Sequence, residues 1–479
     1  MLGCGSVAQC TVPLLISDAG LAPSSIRVVD FVDNRHRIAD SITKGVTYET
    51  GRVTRENLDE FLSARCGEGD LLIDLAWNID APTIIDWCHG HGVRYLNTSV
   101  ELWDPYADMA ATDPLDRTLY VRHQSLADMV RRWGRNDGPT AVVEHGANPG
   151  LVSHFVKQAL TEIATRMLTD GLAGANAAAL ESALGAREFN RLAMLTGTKV
   201  IHIAERDTQT SLVPKAPDEF VNTWSVEGFF EEGIAPAELG WGTHELTLPV
   251  NAHVHTKNGP RNQICIARPG MEVLVRSRVP SSEIHGMVIR HGEAYTMCEH
   301  LTVRDGNGDG DATYRPTVHY AYCPTDAAIM SVQELRWRNW EMQSRQRILN
   351  DEIDHGKDEL GVLLMGHPYR SWWTGSCLSI EEARAKVPHQ SATTLQVAAS
   401  VVSAVRWMFE EPSRGLCVPD DLPHERILER ALPYLGTMFS GAIDWDPLMT
   451  RRDIFDQWSN AADGLDRSDP WQFCNFLVS

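Results

Sequence analysis

The stretch Gly3-Cys-Gly-Ser-Val-Ala8 decides the fold class of this chain. It has the G-x-G-x-x-A spacing of a dinucleotide-binding turn, whose glycines let the backbone approach a pyrophosphate closely. Residues 6–16 predict the helix that follows, and its first N–H groups would cradle the pyrophosphate. A strand over residues 25–30 ends in an acid that can accept hydrogen bonds from ribose hydroxyls. We therefore expect these residues to contact a nicotinamide cofactor: Gly3, Gly5, Ser6, Val7 and Asp30.

The choice of cofactor depends on Asp30, because its carboxylate would repel the 2′-phosphate of NADP. The sequence therefore favours NAD, although Arg35 lies near enough in the chain to leave NADP open.

The strand that should precede the glycine turn is short. Only Met1 and Leu2 precede the turn, where a buried strand of about five residues is expected. We expect either a truncated first strand or a strand upstream of this methionine.

Strands and helices alternate after the turn. Strands are predicted over residues 70–77, 93–97 and 141–144, with a helix over 81–91. Such a βαβ series indicates a Rossmann-type, doubly wound parallel sheet.

The pattern changes after Asn148-Pro-Gly150 and predicts a second, α+β domain with an antiparallel sheet. Its helices are predicted over residues 151–165, 176–196 and 325–357, its strands over 246–250, 263–266, 272–279, 294–303 and 317–322, and a long apolar helix follows over 392–409.

Composition limits the kind of partner. The net charge of −21 excludes nucleic acid as the expected ligand and favours cations. Ten scattered cysteines without a CxxC pair indicate reduced thiols in a cytoplasmic protein. No apolar run approaches the roughly 20 residues that span a bilayer, and no signal peptide is predicted, so no membrane association is expected.

A second informative stretch is Asn222-Thr-Trp-Ser-Val-Glu-Gly-Phe-Phe-Glu-Glu-Gly233, in which glycines are expected to interrupt regular structure. It places Trp224 beside the carboxylates of Glu227, Glu231 and Glu232. An indole face and carboxylates together suit an organic ammonium group. The alternative is a surface loop whose Trp packs on the core.

Two further motifs carry polar side chains. Asn148 follows a predicted sheet strand, where cofactor and substrate meet in such sheets, so it is either a positioning residue or a turn residue. His291 and Glu293 begin a predicted strand, where residues two apart share a face and can relay a proton. The alternative for that pair is a surface contact.

No metal site is expected. Residues 305–311 mimic the first half of a calcium loop, but the twelfth position is Pro316, so a hairpin loop is favoured. The pairs His253/His255 and His89/His91 lack further clustered ligands.

Eight stretches resemble the bacterial homospermidine synthase family, relatives of the saccharopine dehydrogenase-like enzymes. They are GCGSVAQ (3–9), NTSVELW (97–103), EHGANPGLVSHFVK (144–157), NTWSVEGFFEEG (222–233), PAELGWGTHE (236–245), HYAYCPTDAA (319–328), DELGVLLMGH (358–367) and SATTLQV (391–397). They occur in consistent order over almost the entire chain.

The resemblance implies an aminobutyl transferase that uses NAD as an internal redox catalyst. Putrescine, or spermidine, is oxidised to an imine, a second putrescine attacks, and ammonia, or diaminopropane, leaves. Reduction of the new imine gives homospermidine with no net redox change. It also implies a Rossmann domain, a larger catalytic and dimer-forming domain, and a homodimer.

The resemblance assigns roles to individual residues. Trp224 and Glu232 match the family's ammonium-anchoring positions, and Glu205, His291 and Glu293 match its catalytic positions. Matches of lower specificity are Asn148 as a catalytic residue, Glu101 and Asp358 as substrate ligands, Asn97 and Thr98 as cofactor contacts, and an acid near residues 78–80.

The expected domains are 1–147 for NAD binding, 148–385 for substrate and dimerisation, and a helical segment, 386–479, that packs back on the Rossmann domain.

Two rival functions remain open. One is an NAD(P)-dependent dehydrogenase of the saccharopine or carboxynorspermidine type, which needs an Arg or Lys clamp for its substrate carboxylate. The other is a non-catalytic protein that senses NAD or binds polyamines.

Overall fold

A computed structural model describes residues 1–105, 111–257, 259–306, 310–451, 455, 458 and 465–478. The first part of the chain forms a parallel sheet flanked by helices. Its strands are β1 Arg27–Asp30, β2 Thr47–Thr50, β3 Leu71–Asp74, β4 Arg94–Asn97 and β5 Ala141–Val142. Its helices are α1 Ser6–Ser17, α2 Ala39–Thr43, α3 Leu58–Ser63, α4 Ala81–Gly90 and α5 Leu119–Trp133. The Rossmann-type sheet predicted from the alternating pattern is confirmed.

Leu2 lies between β1 and β3 and takes the place of a central strand. Its N–H donates to Ile73 O at 2.8 Å, and its carbonyl accepts from Leu75 N at 2.9 Å. On the other side, Val29 N donates to Met1 O at 2.9 Å and Gly3 N donates to Val29 O at 2.8 Å. The glycine turn therefore leaves the carboxyl edge of the sheet, where ligands bind in such folds.

The second part of the chain contains a larger sheet together with separate strand pairs. Its strands are β6 Val200–Asp207, β7 Thr210–Ser211, β8 Glu219–Asn222, β9 Pro236–Gly240, β10 Ala252–Val254, β11 Gln263–Pro269, β12 Leu274–Arg278, β13 Glu283–Met287, β14 Val303–Arg304, β15 Ala312–Tyr314, β16 Thr317–Cys323, β17 Arg345–Ile348, β18 Ile353–His355, β19 Lys357–Met365 and β20 Ser371–Ser379. Its helices are α6 Leu151–Thr169, α7 Ala177–Ala186, α8 Phe189–Thr196, α9 Val226–Ile234, α10 Glu293–His300, α11 Asp326–Trp337 and α12 Ile380–Lys386.

The larger sheet is mixed, whereas the sequence predicted an antiparallel one. Its main path runs β10-β11-β9-β16-β6-β19-β20 and continues to a C-terminal strand. β16 and β6 are parallel neighbours at its centre, and β19 pairs antiparallel with β6 on the other side. This central trio carries Glu205 on β6 and Tyr320 on β16.

The predicted strand over residues 294–303 is wrong, because this segment forms α10 and then only the short β14. Ala294, Met297, Cys298 and Leu301 are buried, and their spacing is that of one helical face. The helical spacing of these buried residues therefore outweighs the strand preference of the β-branched residues at the end of the segment. His291 and Glu293 consequently do not share a strand face.

Two other predicted elements are also corrected. Residues 246–250 form no strand, and Leu246 and Val250 stay exposed. The helix predicted over residues 325–357 ends with α11, and β17 and β18 follow it. The expected hairpin loop at residues 305–311 is flanked by the antiparallel pair β14 and β15, and residues 307–309 lie outside the described residues.

The C-terminal segment joins both sheets. It contains α13 Ala392–Glu410, β21 Leu416–Cys417, α14 His424–Ala431 and β22 Thr437–Ile443. α13 packs on α1 in the Rossmann core, where Leu14, Ala398 and Val402 are buried in one cluster. β21 pairs with β5, but β22 pairs with β20 at the edge of the larger sheet. The expected helical segment thus contains a strand of the second domain.

No helix of the described ranges is long and apolar enough to cross a bilayer.

Candidate functional site

One continuous cleft of about 770 Å³ runs between the two parts of the chain. The glycine turn and Asp30 line one end. Trp224, Glu232 and His291 line the other. The cofactor motif and the candidate amine motif, more than 200 residues apart in sequence, therefore open into the same space.

The glycine turn fits a dinucleotide. Gly3 has φ +86°, and a Cβ there would lie 2.7 Å from Leu75 O, so only glycine suits this close approach. A Cβ on Gly5 would meet nothing within 4 Å, which leaves open space above the start of α1. Asp30 lines the cleft, and it also orders the turn by accepting from Cys4 N at 2.6 Å and from Val32 N at 2.9 Å.

The remaining two residues predicted to contact the cofactor, Asn97 and Thr98, lie in different surroundings. Thr98 lines the cleft. Asn97 is buried beneath it instead, accepting from Glu144 N at 2.7 Å and donating to Tyr95 OH at 3.1 Å. Asn97 does not line the cleft, since it lies within β4, where alternate side chains face opposite sides, and its contact with the cofactor stays a prediction.

Asp30→Ala is expected to weaken NAD binding and to relax discrimination against NADP. The carboxylate supplies a ribose acceptor, repels a 2′-phosphate and holds the turn. Arg35 would not compensate, since it pairs with Asp33 at 2.8 Å. The measurement is a titration of both cofactors, with Asp40→Ala, at an exposed acid of α2 that does not line the cleft, as the control. An unchanged NAD to NADP affinity ratio in Asp30→Ala would place the ribose contact elsewhere.

At the other end of the cleft, the register of the central strands brings Glu205 next to Tyr320. Glu205 on β6 lies opposite Leu360 of β19 and beside Tyr322 of β16, with Tyr320 on the same face. The Tyr320 hydroxyl donates to Glu205 Oε2. Burial raises the pKa of Glu205 to about 7, although the tyrosine hydrogen bond opposes this shift. The carboxyl can therefore gain or lose a proton near neutral pH.

His291 lies at the centre of a second polar set. Its Nδ1 is 3.0 Å from Asn148 Oδ1, and its Nε2 is 3.0 Å from Glu232 Oε2. Glu293 Oε1 is 3.4 Å from Nδ1 but does not line the cleft. Burial acts to lower the pKa of His291, but the charges of Glu232 and Glu293 outweigh it and raise this pKa to about 10. The imidazole therefore stays protonated at neutral pH and donates from both nitrogens.

Trp224 is held by its own hydrogen bond. Its Nε1 donates to Tyr322 OH at 2.9 Å, and the ring is half-buried against the cleft. Ser225 then caps α9 by accepting from Gly228 N at 3.0 Å. The expected interruption by glycines is wrong, because Gly228 lies inside this helix. The helix places Glu232 two turns beyond Trp224, at the same end of the cleft.

The residues that match the family with lower specificity differ in their positions relative to the cleft. Glu101 lines the cleft, and its Oε2 is buried without a hydrogen-bond donor from the described part of the chain. Asp358 does not line the cleft and accepts from Thr393 at 2.6 Å, so it lies one layer behind. Near residues 78–80, Asn78 lines the cleft, whereas Asp80 caps α4 by accepting from Thr83 N at 2.9 Å.

Several residues at the site escaped the sequence reasoning. Tyr320 and Tyr322 hold Glu205 and Trp224, and their spacing of two along a strand was the available signal. Arg122 and Arg290 both donate to Glu231, at 2.8 and 2.7 Å. No local pattern indicates that these three charges meet. Within the described residues, no group of three or more His, Cys, Asp or Glu forms a candidate metal site.

Comparisons with known proteins agree with this arrangement. Residues 1–142 match the family model for the saccharopine dehydrogenase NADP binding domain, and residues 146–439 match that for the saccharopine dehydrogenase C-terminal domain. The homospermidine synthases of Blastochloris viridis and Mesorhizobium japonicum are 40% and 37% identical, over 100% of this chain and 96% of each relative. The structure of a homospermidine synthase from Legionella pneumophila in complex with NAD superposes with a TM-score of 0.86 at 37% identity, covering 100% of this chain and 97% of that one.

Proposed function

Because this chain belongs to the homospermidine synthase family, we propose that it makes homospermidine from putrescine or spermidine with NAD as its cofactor. The observation that carries the proposal is the single cleft that joins the glycine turn to an acidic, aromatic pocket. A cofactor bound at the turn would extend toward the residues that hold the amine. Ammonia, or diaminopropane from spermidine, would be the leaving group.

The cofactor end is suited to NAD. Gly5 leaves open space at the start of α1, where the backbone N–H groups of Ser6 and Val7 are available to a pyrophosphate. Asp30 would hold the ribose hydroxyls. When bound, NAD accepts a hydride from the carbon that bears the reacting nitrogen and returns it after the second amine has added.

Glu205 is the general base in this proposal. Hydride can leave only from a carbon whose nitrogen is neutral, so the bound ammonium must first lose a proton. A carboxylate with a pKa of about 7 takes up that proton near neutral pH. Tyr320 steadies its Oε2 and connects it to His291, whose ring centroid is 4.4 Å from the tyrosine ring.

His291 acts as a positively charged positioning group and not as the base. The protonated ring donates to Asn148 Oδ1, which turns the Asn148 Nδ2 away from it. That Nδ2 is buried, and the hydrogen bond of the Asn148 side chain to Glu205 acts to lower the pKa of that carboxyl. Asn148 therefore links His291 to the proposed base.

Trp224, Glu232 and Glu101 hold the ammonium that does not react. The indole face attracts a cation by about 0.5–2 kcal/mol. Glu232 lines the cleft beside it, and the unpartnered Glu101 Oε2 supplies a second anionic acceptor. Such a pocket retains the distal end of the substrate between the two redox steps.

The leading rival is a dehydrogenase for a carboxylated amine. It would need a free guanidinium or ammonium group to bind the carboxylate. Arg122 and Arg290 lie close to the pocket, but both are hydrogen-bonded to Glu231. This pairing favours a plain diamine.

Catalytic use of NAD is the decisive expectation. With NAD far below putrescine in concentration, each molecule of NAD should support many turnovers, and one ammonia should be released per homospermidine. Mass spectrometry of the product together with absorbance at the NADH band measures both quantities. Accumulation of NADH in proportion to product would identify a net dehydrogenase.

The active form in this proposal is a homodimer in the cytoplasm. Leu246, Leu248 and Val250 are 76%, 46% and 84% exposed within five consecutive residues, and such a cluster of exposed apolar side chains suits a subunit interface. All ten cysteines are free thiols, as a reducing compartment requires. Light scattering on the purified protein measures the oligomeric state.

A further inference from the structure

A cluster of buried charges lies beyond the ammonium-binding end of the cleft. Glu231 Oε1 accepts from Arg122 Nη2 at 2.8 Å and from Arg290 Nη2 at 2.7 Å. The side chains of Glu231, Arg122 and Arg290 are only 3%, 6% and 4% exposed. Trp77, from the loop after β3, lies 3.3 Å from Glu231 Oε2 through its Nε1. Glu231 therefore receives hydrogen bonds from both parts of the chain.

This cluster forms part of the wall behind the pocket. A small cavity is lined by Arg122, Arg290 and Glu231. Glu101 and Glu232 line that cavity and also the main cleft. The two guanidinium groups therefore stand directly behind the carboxylates proposed to hold the ammonium.

Two buried guanidinium groups in this position would repel an ammonium and attract a carboxylate. The effect would be strong, because charges interact more strongly in a buried site than in water. The groups that line the cavity are four carboxylates, of Glu101, Glu144, Glu231 and Glu232, and three cations, of Arg122, Arg290 and the protonated His291, which leaves this end of the cleft acidic. Burial raises the pKa of Glu231 to about 8, so this count holds for its ionised form. Without the Glu231 charge, the remaining groups would balance to neutral.

The guanidinium groups are also held in place by backbone acceptors. Arg122 Nη1 donates to Val100 O and Arg290 Nη1 donates to Arg117 O, each at 2.6 Å. Arg290 Nε is buried and has no acceptor within the described ranges. Loss of Glu231 would therefore leave both cations in place with donors unsatisfied, and a substrate carboxylate would be a suitable replacement.

We propose that Glu231 determines specificity by occupying the two guanidinium groups, so that the site accepts a bare diamine and rejects an amine that carries a carboxylate. The inference rests on the proposed function and deepens it. Glu231 acts through Arg122 and Arg290 and not by touching the reacting carbon. Its effect should therefore appear in the choice of ligand before it appears in the chemistry.

The test compares the binding of putrescine and of ornithine, which has the same carbon skeleton with one added carboxylate. Calorimetry on the NADH-loaded protein, above pH 8 so that Glu231 is ionised, gives both dissociation constants without turnover, because no hydride acceptor is present. Glu231→Gln is expected to raise the Kd for putrescine and to lower that for ornithine, each by about tenfold or more, on the scale of one charged hydrogen bond. Equal weakening of both ligands would overturn the proposal.

Three further variants control the result. Glu231→Gln/Arg290→Gln removes one charge of each sign and should restore the preference for putrescine. Glu219→Gln breaks a largely buried pair with Arg347, at 3.1 Å and away from the cleft, and should leave the ratio of the two Kd values unchanged. Should Glu231→Gln fail to fold, Arg290→Gln alone decides: the preference for putrescine should increase, and an unchanged ratio refutes the proposal. Homospermidine formation by the unaltered protein tests the proposed function separately.

Discussion

Glu205→Gln is expected to lower kcat by roughly 10²–10⁴-fold, the usual contribution of a general base. The amide keeps the shape of the side chain and can still meet the Tyr320 hydroxyl, but it cannot accept a proton from the substrate. KM for putrescine should change far less, because Trp224 and Glu232, and not Glu205, are the residues proposed to hold the distal ammonium. Steady-state kinetics of purified protein, with NAD held saturating, give both constants.

The pH profile adds a second readout for Glu205. Burial raises its pKa to about 7, so the protonated, inactive form prevails below that value. The kcat of the unaltered protein should therefore rise as the pH increases through about 7. Deprotonation of His291, whose pKa is about 10, should lower it again at high pH. Glu205→Gln should lose the rise near pH 7.

The matched control for this substitution is Glu359→Gln. Glu359 is an equally buried acid on β19. Its backbone lies opposite that of Arg206 in the strand register, and its side chain does not line the cleft. Its loss should lower the melting temperature while leaving the shape of the pH profile intact. Near-normal kcat in Glu205→Gln, or the same pH profile, would assign the proton transfer to another group.

Glu232→Gln and Trp224→Ala are expected to lower kcat/KM for putrescine by at least about tenfold. Trp224→Ala removes a cation–π attraction of about 0.5–2 kcal/mol, or about 2–30-fold, as well as the wall that positions the chain. Trp224→Phe keeps an aromatic face with a weaker quadrupole and should cost only a few-fold. kcat should fall in the two severe variants as well, since a misplaced carbon reacts more slowly.

NAD affinity should be unchanged in these variants, because neither residue lies at the glycine turn. Trp337→Ala, at an exposed tryptophan on α11, provides the control for loss of an indole. Melting temperature and kinetics must be measured together. A lower melting temperature with normal kinetics in Trp224→Ala would assign this residue to packing against Phe229 and Tyr322 alone.

Features encoded over short stretches could be predicted from the sequence. The glycine turn and Asp30 lie within about one βαβ unit, whose spacing is fixed by backbone geometry. Trp224 and Glu232 lie eight residues apart and share one end of the cleft for the same local reason. The strand predicted over residues 294–303 is wrong, because the buried residues of this segment follow the helical period.

Tertiary structure decided how distant residues converge. The strand register turns Glu205 and Tyr320 toward the cleft, whereas Asp358 is left behind Thr393. The contacts of His291 with Asn148 and of Glu231 with Arg122 span more than 100 residues. Their charge states depend on burial and on neighbouring charges, which exist only after folding. The amino-acid sequence therefore determined the cofactor turn and the residues of the Trp224–Glu232 stretch, and the packed fold determined the surroundings of Glu205 and His291 and which charges are paired.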